Sequence, residues 1–547
     1  MEERISIKGH NVCYDRETTT QDISSILKTR FTPEDLTEKS LDDLHDPYLL
    51  CGMKEAVKRI KQARENRERV IIFWDYDVDG VTSTSILMHL FKTLKMDVSY
   101  RLPHRVKDGY GMKKYFIDEL AELWVDLIIT VDCGTRDVDV VRYSKEKGID
   151  IIVTDHHAVP DVIPEEAVAV INPKRPDCSY PFKWLAGAWV AYKLMMAVAK
   201  EYMDDEKYKN YIRESIDIAA IGTVADCMTL TGENRTIVSL GLKQIKNSRS
   251  KWIRALIEDK IHEDLDADIF GFLIGPRLNA AGRMDTPYKA VNLILNNSDS
   301  LGKTLNEIEM LNDQRKALTT EFVDKALGEI EEGNNIIIYH SPDIRHGIIG
   351  IIAGRLTEKF YRPSIVLIDE GDKLVASCRS PEYFSIIDLL EKYKDSFIAF
   401  GGHKQAAGFS ILKESFEEFK QKIQADLNAE DFSQHTKKIE IDKCVKLDEI
   451  GFKFLASMNT YKPFGLWNPK PVFMIENFEP ERVSILWKTR EHLKFENRYG
   501  FKIFAFGFGE HYDELKNIPK MDIIFDLSED NWMWKRGLMF RIIDIVI

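Results

Sequence analysis

The chain has 547 residues, more than one hydrophobic core supports, so we expect several domains. Its 44% hydrophobic and 30% charged residues are typical of a globular protein and exclude a disordered or fibrous chain. A net charge of −13 argues at first against a nucleic-acid partner, but carboxylates that bind metal ions would add the same charge, so that class stays open.

The sequence also argues against a membrane protein and against a secreted protein. No apolar run approaches the roughly 18 residues of a membrane span, and the charged first residues lack the apolar stretch of a signal peptide. The seven cysteines include no Cys-x-x-Cys pair, which argues against a disulfide framework and against a cysteine zinc site. We therefore expect a cytoplasmic protein with no membrane partner.

Apolar strands alternate with amphipathic helices from about Arg69 onward. Residues 70–74, 126–131 and 150–154 have the composition of buried strands, and residues 81–95 that of a helix. Such alternation predicts a parallel sheet covered by helices. In sheets of this kind, ligand groups gather at the carboxyl ends of the strands.

Acidic and imidazole side chains follow these strands. They are Asp75, Asp77 and Asp79 after the first strand, Asp132 after the second, Asp155, His156 and His157 after the third, and Asp226 farther along the chain. Carboxylates held a few Å apart repel one another unless a cation lies between them, and mixed carboxylate and imidazole ligands suit Mn²⁺ or Mg²⁺. A calcium loop is the alternative, but it would need a glutamate where Ile86 stands. The pattern predicts a metal-dependent phosphoesterase, because paired ions can activate water and stabilise a phosphoryl displacement.

Three further regions follow. Residues 300–331 have helical spacing and predict one helix roughly 45 Å long, either a spacer between globular parts or a core helix of the first domain. A second α/β region begins at Ile336 and ends in the glycine-rich stretch 401–408. Residues 437–547 are rich in aromatic and β-branched residues in short runs, which predicts a small β-barrel.

The four acidic clusters resemble motifs I to IV of the DHH phosphoesterase superfamily, which is named for the triplet at Asp155-His156-His157. The stretch 401–408 resembles the glycine-rich signature of the DHH-associated domain. Further stretches are similar to the RecJ family of single-strand-specific exonucleases: Leu44-His45-Asp46-Pro47, 108–111, Glu233-Asn234-Arg235, 276–283, 347–355 and Pro463-Phe464-Gly465. This resemblance covers nearly the whole chain.

The resemblance implies two Mn²⁺ or Mg²⁺ ions. Their expected ligands are Asp77, Asp79, Asp132, His156 and Asp226, with Asp75 and His157 completing or flanking the site and Asp155 orienting His156. Many relatives carry a histidine where Phe73 stands. The implied reaction is phosphodiester hydrolysis, in which Asp132, His156, His157 and His403 are catalytic and Arg283, Arg379, Ser380, Gly402 and His403 contact phosphate or DNA.

The family's oligonucleotide-binding (OB) barrel matches the β-rich end of the chain, and such barrels hold single strands by cationic grooves and stacking. Basic and aromatic residues interleave there at Trp487, Lys488, Arg490, His492, Lys494, Phe495, Trp532, Trp534, Lys535 and Arg536. Aromatic residues of a small barrel are more often part of its core, so the sequence does not decide which of them face a base.

The expected architecture is α/β with five parts. They are an N-terminal extension (1–68), a parallel-sheet DHH catalytic domain (69–299), a connecting helix (300–332), an α/β DHH-associated domain (333–435) and an OB-like β-barrel (436–547). The implied function is 5′→3′ hydrolysis of single-stranded DNA to mononucleotides in repair and recombination. The expected state is a monomer that meets single-strand-binding protein and a RecQ-type helicase.

Two other functions remain open at this stage. A phosphodiesterase for short oligonucleotides or cyclic dinucleotides would use the same clusters, but such relatives are usually shorter and lack the long helix and the barrel. A non-catalytic replisome scaffold could keep the fold but would not need the metal ligands. The length of the chain and its intact clusters favour the exonuclease.

Overall fold

The structure is a computed structural model, and it describes residues 2–15, 21–74, 76–102, 111–296, 300–330, 333–487, 490–530 and 537–547. Several residues singled out in the sequence lie outside the described residues: Asp75, 108–110, Lys488, Trp532, Trp534, Lys535 and Arg536. The chain divides into two compact bodies. The first body contains residues 28–312 and 461–470, and the second contains residues 1–27, 313–460 and 471–547.

The N-terminal part and the sheet of the first body follow in chain order. Their elements are β1 (Glu2–Ile5), β2 (Asn11–Tyr14), α1 (Ile23–Lys28), α2 (Met53–Asn66), β3 (Arg69–Trp74), α3 (Val78–Thr93), β4 (Asp97–Arg101), α4 (Lys114–Glu122), β5 (Leu127–Val131), α5 (Val138–Glu146), β6 (Asp150–Thr154) and β7 (Ala169–Ile171). Strands β3 to β7 form one parallel sheet in the order β4-β3-β5-β6-β7.

This sheet is buried on both faces, as a parallel sheet covered by helices must be. Val70, Ile72 and Trp74 of β3 point into one hydrophobic cluster, while Ile71 and Phe73 point into another on the opposite face. The chain reverses its direction of travel across the sheet between β3 and β5. The loops that follow these two strands therefore diverge and open a crevice at their carboxyl ends.

Helices dominate the rest of the first body. They are α6 (Gly187–Lys200), α7 (Asp205–Ala225), α8 (Gly232–Ile245), α9 (Lys251–Ile257), a π-helical turn (Ile269–Ile274), α10 (Gly275–Met284), α11 (Tyr288–Leu295) and the long α12 (Leu301–Glu329). The helix predicted over 300–331 is thus present, and the division between the two bodies falls within it, after Asn312. Among the described helices, none combines the length and apolarity needed to cross a lipid bilayer.

Two buried cationic side chains, Lys193 and Arg235, give structural roles to the stretches Leu44-His45-Asp46-Pro47 and Glu233-Asn234-Arg235. The Lys193 ammonium is fully buried 2.8 Å from Glu233 Oε1, and Tyr180 donates a hydrogen bond to Oε2 of the same carboxylate. Arg235 is also buried and donates to the carbonyls of Tyr461 and Lys462 at 3.0 and 2.7 Å. Lys193 holds the loop at His45 by donating to the His45 carbonyl, and the backbone N–H of His45 donates to Glu233. Arg235 holds residues 461–470 in the first body.

The second body begins with a mixed sheet. Its elements are β8 (Ile337–His340), α13 (Ile349–Phe360), β9 (Ser364–Glu370), β10 (Lys373–Arg379), α14 (Ile386–Lys392), β11 (Ala399–His403), β12 (Ala406–Leu412) and α15 (Lys413–Asn428). The order is β11-β12-β10-β9-β8, with β8 and β9 parallel and the other pairs antiparallel.

A seven-stranded sheet ends the chain, in the order β14-β15-β19-β20-β18-β17-β16. The elements are β13 (Lys438–Glu440), β14 (Lys443–Cys444), α16 (Phe452–Asn459), β15 (Phe473–Phe478), β16 (Arg482–Leu486), β17 (His492–Glu496), β18 (Lys502–Ala505), α17 (Tyr512–Leu515), β19 (Met521–Asp530) and β20 (Gly537–Val546). The N-terminal strand β2 pairs with β13, and Ser6 and His10 hydrogen-bond to Asp544. The expected extension 1–68 is therefore shared between the two bodies. The domain limits stay a prediction.

Gly222 of α7 lies against both α3 and α6. A Cβ at this position would lie 2.4 Å from Thr82 Oγ1 and 2.5 Å from Ala188 Cβ. We expect Gly222→Ala to cost about 1–3 kcal/mol, because the three helices must separate to admit a methyl group. Thermal unfolding should show a midpoint lowered by several degrees.

Gly328→Ala is the control, because nothing lies within 4 Å of a Cβ built at that helical position. Its midpoint should be unchanged or slightly raised, since alanine favours helix over glycine by about 0.5–1 kcal/mol. Equal midpoints for the two variants would contradict the close packing at Gly222.

Candidate metal centre

Asp77 and Asp79 follow β3 at the entrance to the crevice. Asp77 is the N-cap of α3, and its Oδ1 accepts the Gly80 N–H at 3.0 Å. Asp79 is buried in the first turn of the same helix, where its carboxylate accepts the N–H groups of Gly187 and Ala188 at 2.6 and 2.7 Å. These donors are the first residues of α6, so the helix N-terminus favours a negative charge on Asp79.

Asp132 follows β5 on the other side of the crevice. It is buried, its backbone has a φ of 58°, and its N–H donates to Thr154 O at 3.0 Å. Aspartate tolerates this left-handed conformation better than most residues. A Cβ on Gly187 would lie only 2.8 Å from Asp132 Oδ1, so the glycine that begins α6 leaves room for this carboxylate.

His156 connects the carboxylates of three elements. Its Nε2 lies 3.1 Å from Asp132 Oδ1, 3.5 Å from Asp226 Oδ2 and 3.7 Å from Asp79 Oδ2. Two groups of three ligand atoms result, each with all atoms within 4.8 Å of one another: Asp79, His156 and Asp226, and Asp132, His156 and His157. His156 belongs to both groups, so the structure offers two adjoining ligand sets.

Asp155 holds His157 and not the ring of His156, which differs from the role expected from the sequence. Its Oδ1 lies 2.8 Å from His157 Nδ1 and also accepts the backbone N–H groups of His156 and His157. Its Oδ2 accepts the Thr135 N–H at 3.0 Å. Burial alone would raise the pKa of Asp155, but these donors and the two imidazoles hold it well below its usual range. An ionised Asp155 fixes the proton of His157 on Nδ1 and orients the ring.

The charges of the cluster are unfavourable without a cation. Burial, followed by the charge of Asp77, raises the pKa of Asp79 to about 7, and burial with the charges of Asp79 and Asp77 raises the pKa of Asp226 well above its usual value. Burial and the neighbouring His157 lower the pKa of His156 to about 3, so its imidazole is neutral and able to bind a metal. Asp226 Oδ2 is buried and accepts no hydrogen bond from the described residues. A carboxylate and imidazole set of this kind fits divalent ions such as Mn²⁺ and Mg²⁺.

Arg283 also belongs to the first body. It lies near the end of α10, directly after Gly282. A Cβ built on Gly282 would lie 2.9 Å from Tyr76 O. The close approach of α10 to Tyr76 places this helix against the loop that carries Asp77. The predicted contact of Arg283 with phosphate stays a prediction.

The other predicted binding residues lie in the second body. Arg379 ends β10 and is largely buried, with Nη1 donating to Cys378 O at 2.8 Å and to Ser377 Oγ at 3.2 Å. Its guanidinium has no ion pair with a described residue, and burial lowers its pKa. Ser380 is buried with Oγ 3.0 Å from Phe384 O and 3.2 Å from Lys404 O, contacts that stabilise the chain around it.

Gly402 and His403 end β11, next to the turn into β12. A Cβ on Gly402 would lie 2.4 Å from Ala407 Cα, so the close approach of the two strands requires glycine there. The His403 side chain is exposed. The predicted roles of both residues at the reaction centre stay predictions.

Two of the aromatic residues singled out near the C-terminal end of the chain differ in burial. Phe495 is fully buried and has no ring face available for a base, whereas Trp487 is 63% exposed beside His492. Lys494 is paired with Glu496 at 3.3 Å.

Asn172 is a residue of the centre that the sequence reading missed. It follows β7, and its Nδ2 lies 3.0 Å from His157 O and 3.1 Å from Thr135 Oγ1. It thereby connects the loop after β7 to the loops after β5 and β6. Its position directly after an apolar strand, before a proline, was the available signal.

Asp226→Asn should make the metal-free protein more stable, because it removes one of the repelling buried carboxylates. Asp226 is the better choice than Asp79, whose two oxygens both accept N–H groups. Asp226 has a raised pKa in the folded state and so binds more protons folded than unfolded, which lowers stability as the pH rises above about 4, the ordinary pKa of an aspartate. Thermal unfolding with a chelator should therefore show a larger gain at pH 8 than at pH 5.

The same variant should lose most of the thermal stabilisation that Mn²⁺ gives the unaltered protein, which is about 2.7 kcal/mol at one hundred times the dissociation constant. Asp139→Asn, an exposed change on α5, should leave both the metal-free midpoint and the Mn²⁺ response unchanged. An Asp226→Asn protein that keeps the full Mn²⁺ response would refute Asp226 as a ligand.

Asp155→Asn should weaken Mn²⁺ binding by about 10- to 100-fold without unfolding the protein, because the ring of His157 loses the partner that orients it. Calorimetric titration with Mn²⁺ measures this change, again with Asp139→Asn as the control. An unchanged affinity would mean that His157 needs no orientation by Asp155.

Comparison with known proteins covers most of the chain. Residues 69–223 match the DHH family N-terminal domain, residues 333–429 the DHHA1 domain and residues 441–544 the RecJ OB domain. The α/β architecture with a parallel sheet and a C-terminal OB domain is thereby confirmed.

Individual relatives and a solved structure agree with these matches. The chain is 34% identical over 520 residues to the single-stranded-DNA-specific exonuclease RecJ of Bacillus subtilis, covering 92% of this chain and 64% of the relative. It is 34% identical over 462 residues to the RecJ of Dickeya dadantii, with 80% of each chain covered. The crystal structure of RecJ from Thermus thermophilus in complex with Mn²⁺ superposes with a TM-score of 0.80 at 26% identity, covering 98% of this chain and 80% of that one. The chain belongs to the RecJ family of DHH-domain proteins.

Proposed function

We propose that this protein is a metal-dependent exonuclease that hydrolyses single-stranded DNA from its 5′ end to mononucleotides. The observation that carries the proposal is the pair of ligand sets that share His156 at the crevice between β3 and β5. It is supported by the names of the relatives, which are single-stranded-DNA-specific exonucleases, and by a related structure that contains Mn²⁺. The chain spans 64% of the Bacillus relative's length, so the activity, substrate and partners of the whole relative are extended to it as a proposal.

Mn²⁺ or Mg²⁺ would be held by Asp77, Asp79, Asp132, His156 and Asp226, with His157 at the edge of the cluster, and would supply activated water and stabilisation of phosphoryl charge. The residues of the chain prepare the site for this chemistry. The N-terminus of α6 holds Asp79 in a single orientation through two hydrogen bonds. The depressed pKa of His156 keeps a lone pair available on its imidazole at neutral pH.

Residues outside the cluster would position the strand. In this proposal Arg283 and Arg379 bind phosphate, and the exposed His403 contacts the reacting group. Arg379 suits an anion because its guanidinium is largely buried and has no carboxylate partner among the described residues. A desolvated arginine without a counter-charge gains more from binding phosphate than an exposed one.

We extend the proposal to the substrate, the cellular role and the partners of the protein. Single-stranded DNA is the proposed substrate, and DNA repair and recombination the proposed role. Single-strand-binding protein and a RecQ-type helicase are proposed partners of a monomeric enzyme in the cytoplasm. The OB domain at residues 441–544 supports a strand-binding role, because such domains commonly hold single strands.

The activity is tested with end-labelled oligonucleotides and Mn²⁺. A long single strand should lose mononucleotides from its 5′ end, a blunt duplex should remain largely intact, and a strand with phosphorothioate linkages at its 5′ end should be protected when one blocked at its 3′ end is not. Activity confined to dinucleotides and trinucleotides would support the oligonucleotide phosphodiesterase. A metal-binding protein without cleavage of any strand would support the scaffold.

Asp132→Ala should abolish cleavage while leaving the protein folded, because Asp132 lies in the ligand set that includes both histidines. Asp139→Ala is the matched control, since that carboxylate is exposed on α5 and outside both ligand sets. Circular dichroism and thermal unfolding verify that each variant is folded. Full activity in Asp132→Ala would remove the proposed centre from the reaction.

A further inference from the structure

Lys174 and Trp184 lie beside the metal centre in the first body and have no role in holding its ligands. Lys174 Nζ is 5.5 Å from the centroid of the Trp184 ring, within the range of a cation–π contact. Lys174 is half-buried, whereas Trp184 is 59% exposed. The pair therefore presents an aromatic face and a positive charge beside a site that would act on a nucleic acid.

The backbone of both residues is tied to the centre. Lys174 N donates to Asn172 Oδ1 at 2.9 Å, and Asn172 in turn donates to His157 O. Trp184 directly precedes Leu185, in the segment that leads into α6. Two residues farther on, Gly187 donates to Asp79.

Trp184 is also held from the other side, because Asn234 Nδ2 donates to Trp184 O at 2.6 Å. The backbone positions of the lysine and the tryptophan are thus set by the same loops that carry the ligands. Their side chains remain available for a ligand at the edge of the crevice.

The Lys174 ammonium lies within electrostatic range of two carboxylates of the metal centre. Burial lowers the pKa of Lys174, and the carboxylates of Asp226 and Asp155 act on its ammonium in the opposite direction. Among the described residues, however, Nζ makes no hydrogen bond or ion pair, and it lies over the Trp184 ring. With divalent ions neutralising Asp226 and its neighbours, the ammonium would add a net positive charge at the edge of the centre, which favours an anion.

We propose that Lys174 and Trp184 form a nucleotide-binding edge of the metal centre, in which the ammonium contacts a phosphate of the bound strand and the indole stacks on a base. The inference rests on the proposed function and adds to it two residues that position the substrate. Ring faces bind bases without regard to sequence, and a lysine contacts phosphate as a point charge, so this edge fits a nuclease without base preference.

Binding of a short 5′-phosphorylated strand with non-hydrolysable phosphorothioate linkages, measured by fluorescence anisotropy with Mn²⁺, tests the edge. Trp184→Ala should weaken binding by about 5- to 150-fold, the range for the loss of one stacked base. Trp184→Phe should restore much of the affinity, because it keeps an aromatic face, and Trp184→Leu should not.

Lys174→Ala should weaken binding and reduce the slope of log affinity against log salt by about 0.7, the value for one phosphate contact on a single strand. Matched controls exist at the opposite edge of the sheet. Trp124, 84% exposed just before β5, and Lys145, at the end of α5 before β6, should each be replaceable by alanine with no change in affinity or salt slope.

A strand whose 5′-terminal nucleotides lack bases isolates the stacking contact, since the unaltered protein and Trp184→Ala should bind it equally. The Mn²⁺-induced rise in thermal midpoint, measured without DNA, separates substrate positioning from support of the ligands. Both Lys174→Ala and Trp184→Ala should keep it.

Two outcomes overturn the inference and leave the proposed function intact, provided that the unaltered protein binds and cleaves DNA. One is loss of the Mn²⁺-induced rise in thermal midpoint in either variant, and the other is an unchanged affinity of the variants for the strand. An unaltered protein that binds no single strand overturns both.

Discussion

Repulsion among buried carboxylates is the constraint on which the first body depends. Asp79, Asp132 and Asp226 come from three different elements and meet around one imidazole, with Nε2 of His156 within 3.1–3.7 Å of each. Folding must bring them together although burial and mutual charge oppose ionisation. The surrounding structure offsets this cost only in part, through the two N–H groups that α6 donates to Asp79. The low pKa of His156 leaves its imidazole neutral, so the ring supplies no compensating positive charge. The remaining imbalance is what a divalent ion removes, so metal binding and the stability of this region are coupled.

The backbone around the centre is shaped by the need to bring these groups close. Asp132 adopts a positive φ, and the two glycines Gly187 and Gly222 allow α6 and α7 to approach the carboxylates. A methyl group at either glycine would meet an aspartate oxygen within 3 Å. Small residues at helix contacts thus serve the chemistry of the site as well as the packing of the core.

The sequence predicted the sheet, and it also predicted that acidic and imidazole side chains gather at its carboxyl edge, because both features depend on local patterns. Buried parallel strands appear as continuous apolar runs, and the residue after each run lies at the carboxyl edge of the sheet. The role of Asp155 could not be predicted in the same way. Whether it orients His156 or His157 depends on a ring rotation of two adjacent residues, which no spacing encodes. Lys174 and Trp184 were missed for a related reason, since their proximity arises from loops that fold back over the centre.

The segment 461–470 has a consequence for how this chain can be divided. It follows most of the second body in sequence, yet its carbonyls accept the hydrogen bonds of the buried Arg235 in the first body. A chain ended after residue 435, at the limit suggested by composition, would remove the carbonyls that accept from Nη1 and Nη2 of Arg235, while Nε would keep its contact with Asp35 O. Each donor left unsatisfied would cost about 1–3 kcal/mol. The first body is therefore discontinuous in sequence, since it combines residues 28–312 with residues 461–470. An exchange of the OB domain by recombination of gene segments would have to keep residues 461–470, because their carbonyls are acceptors for Arg235 of the first body.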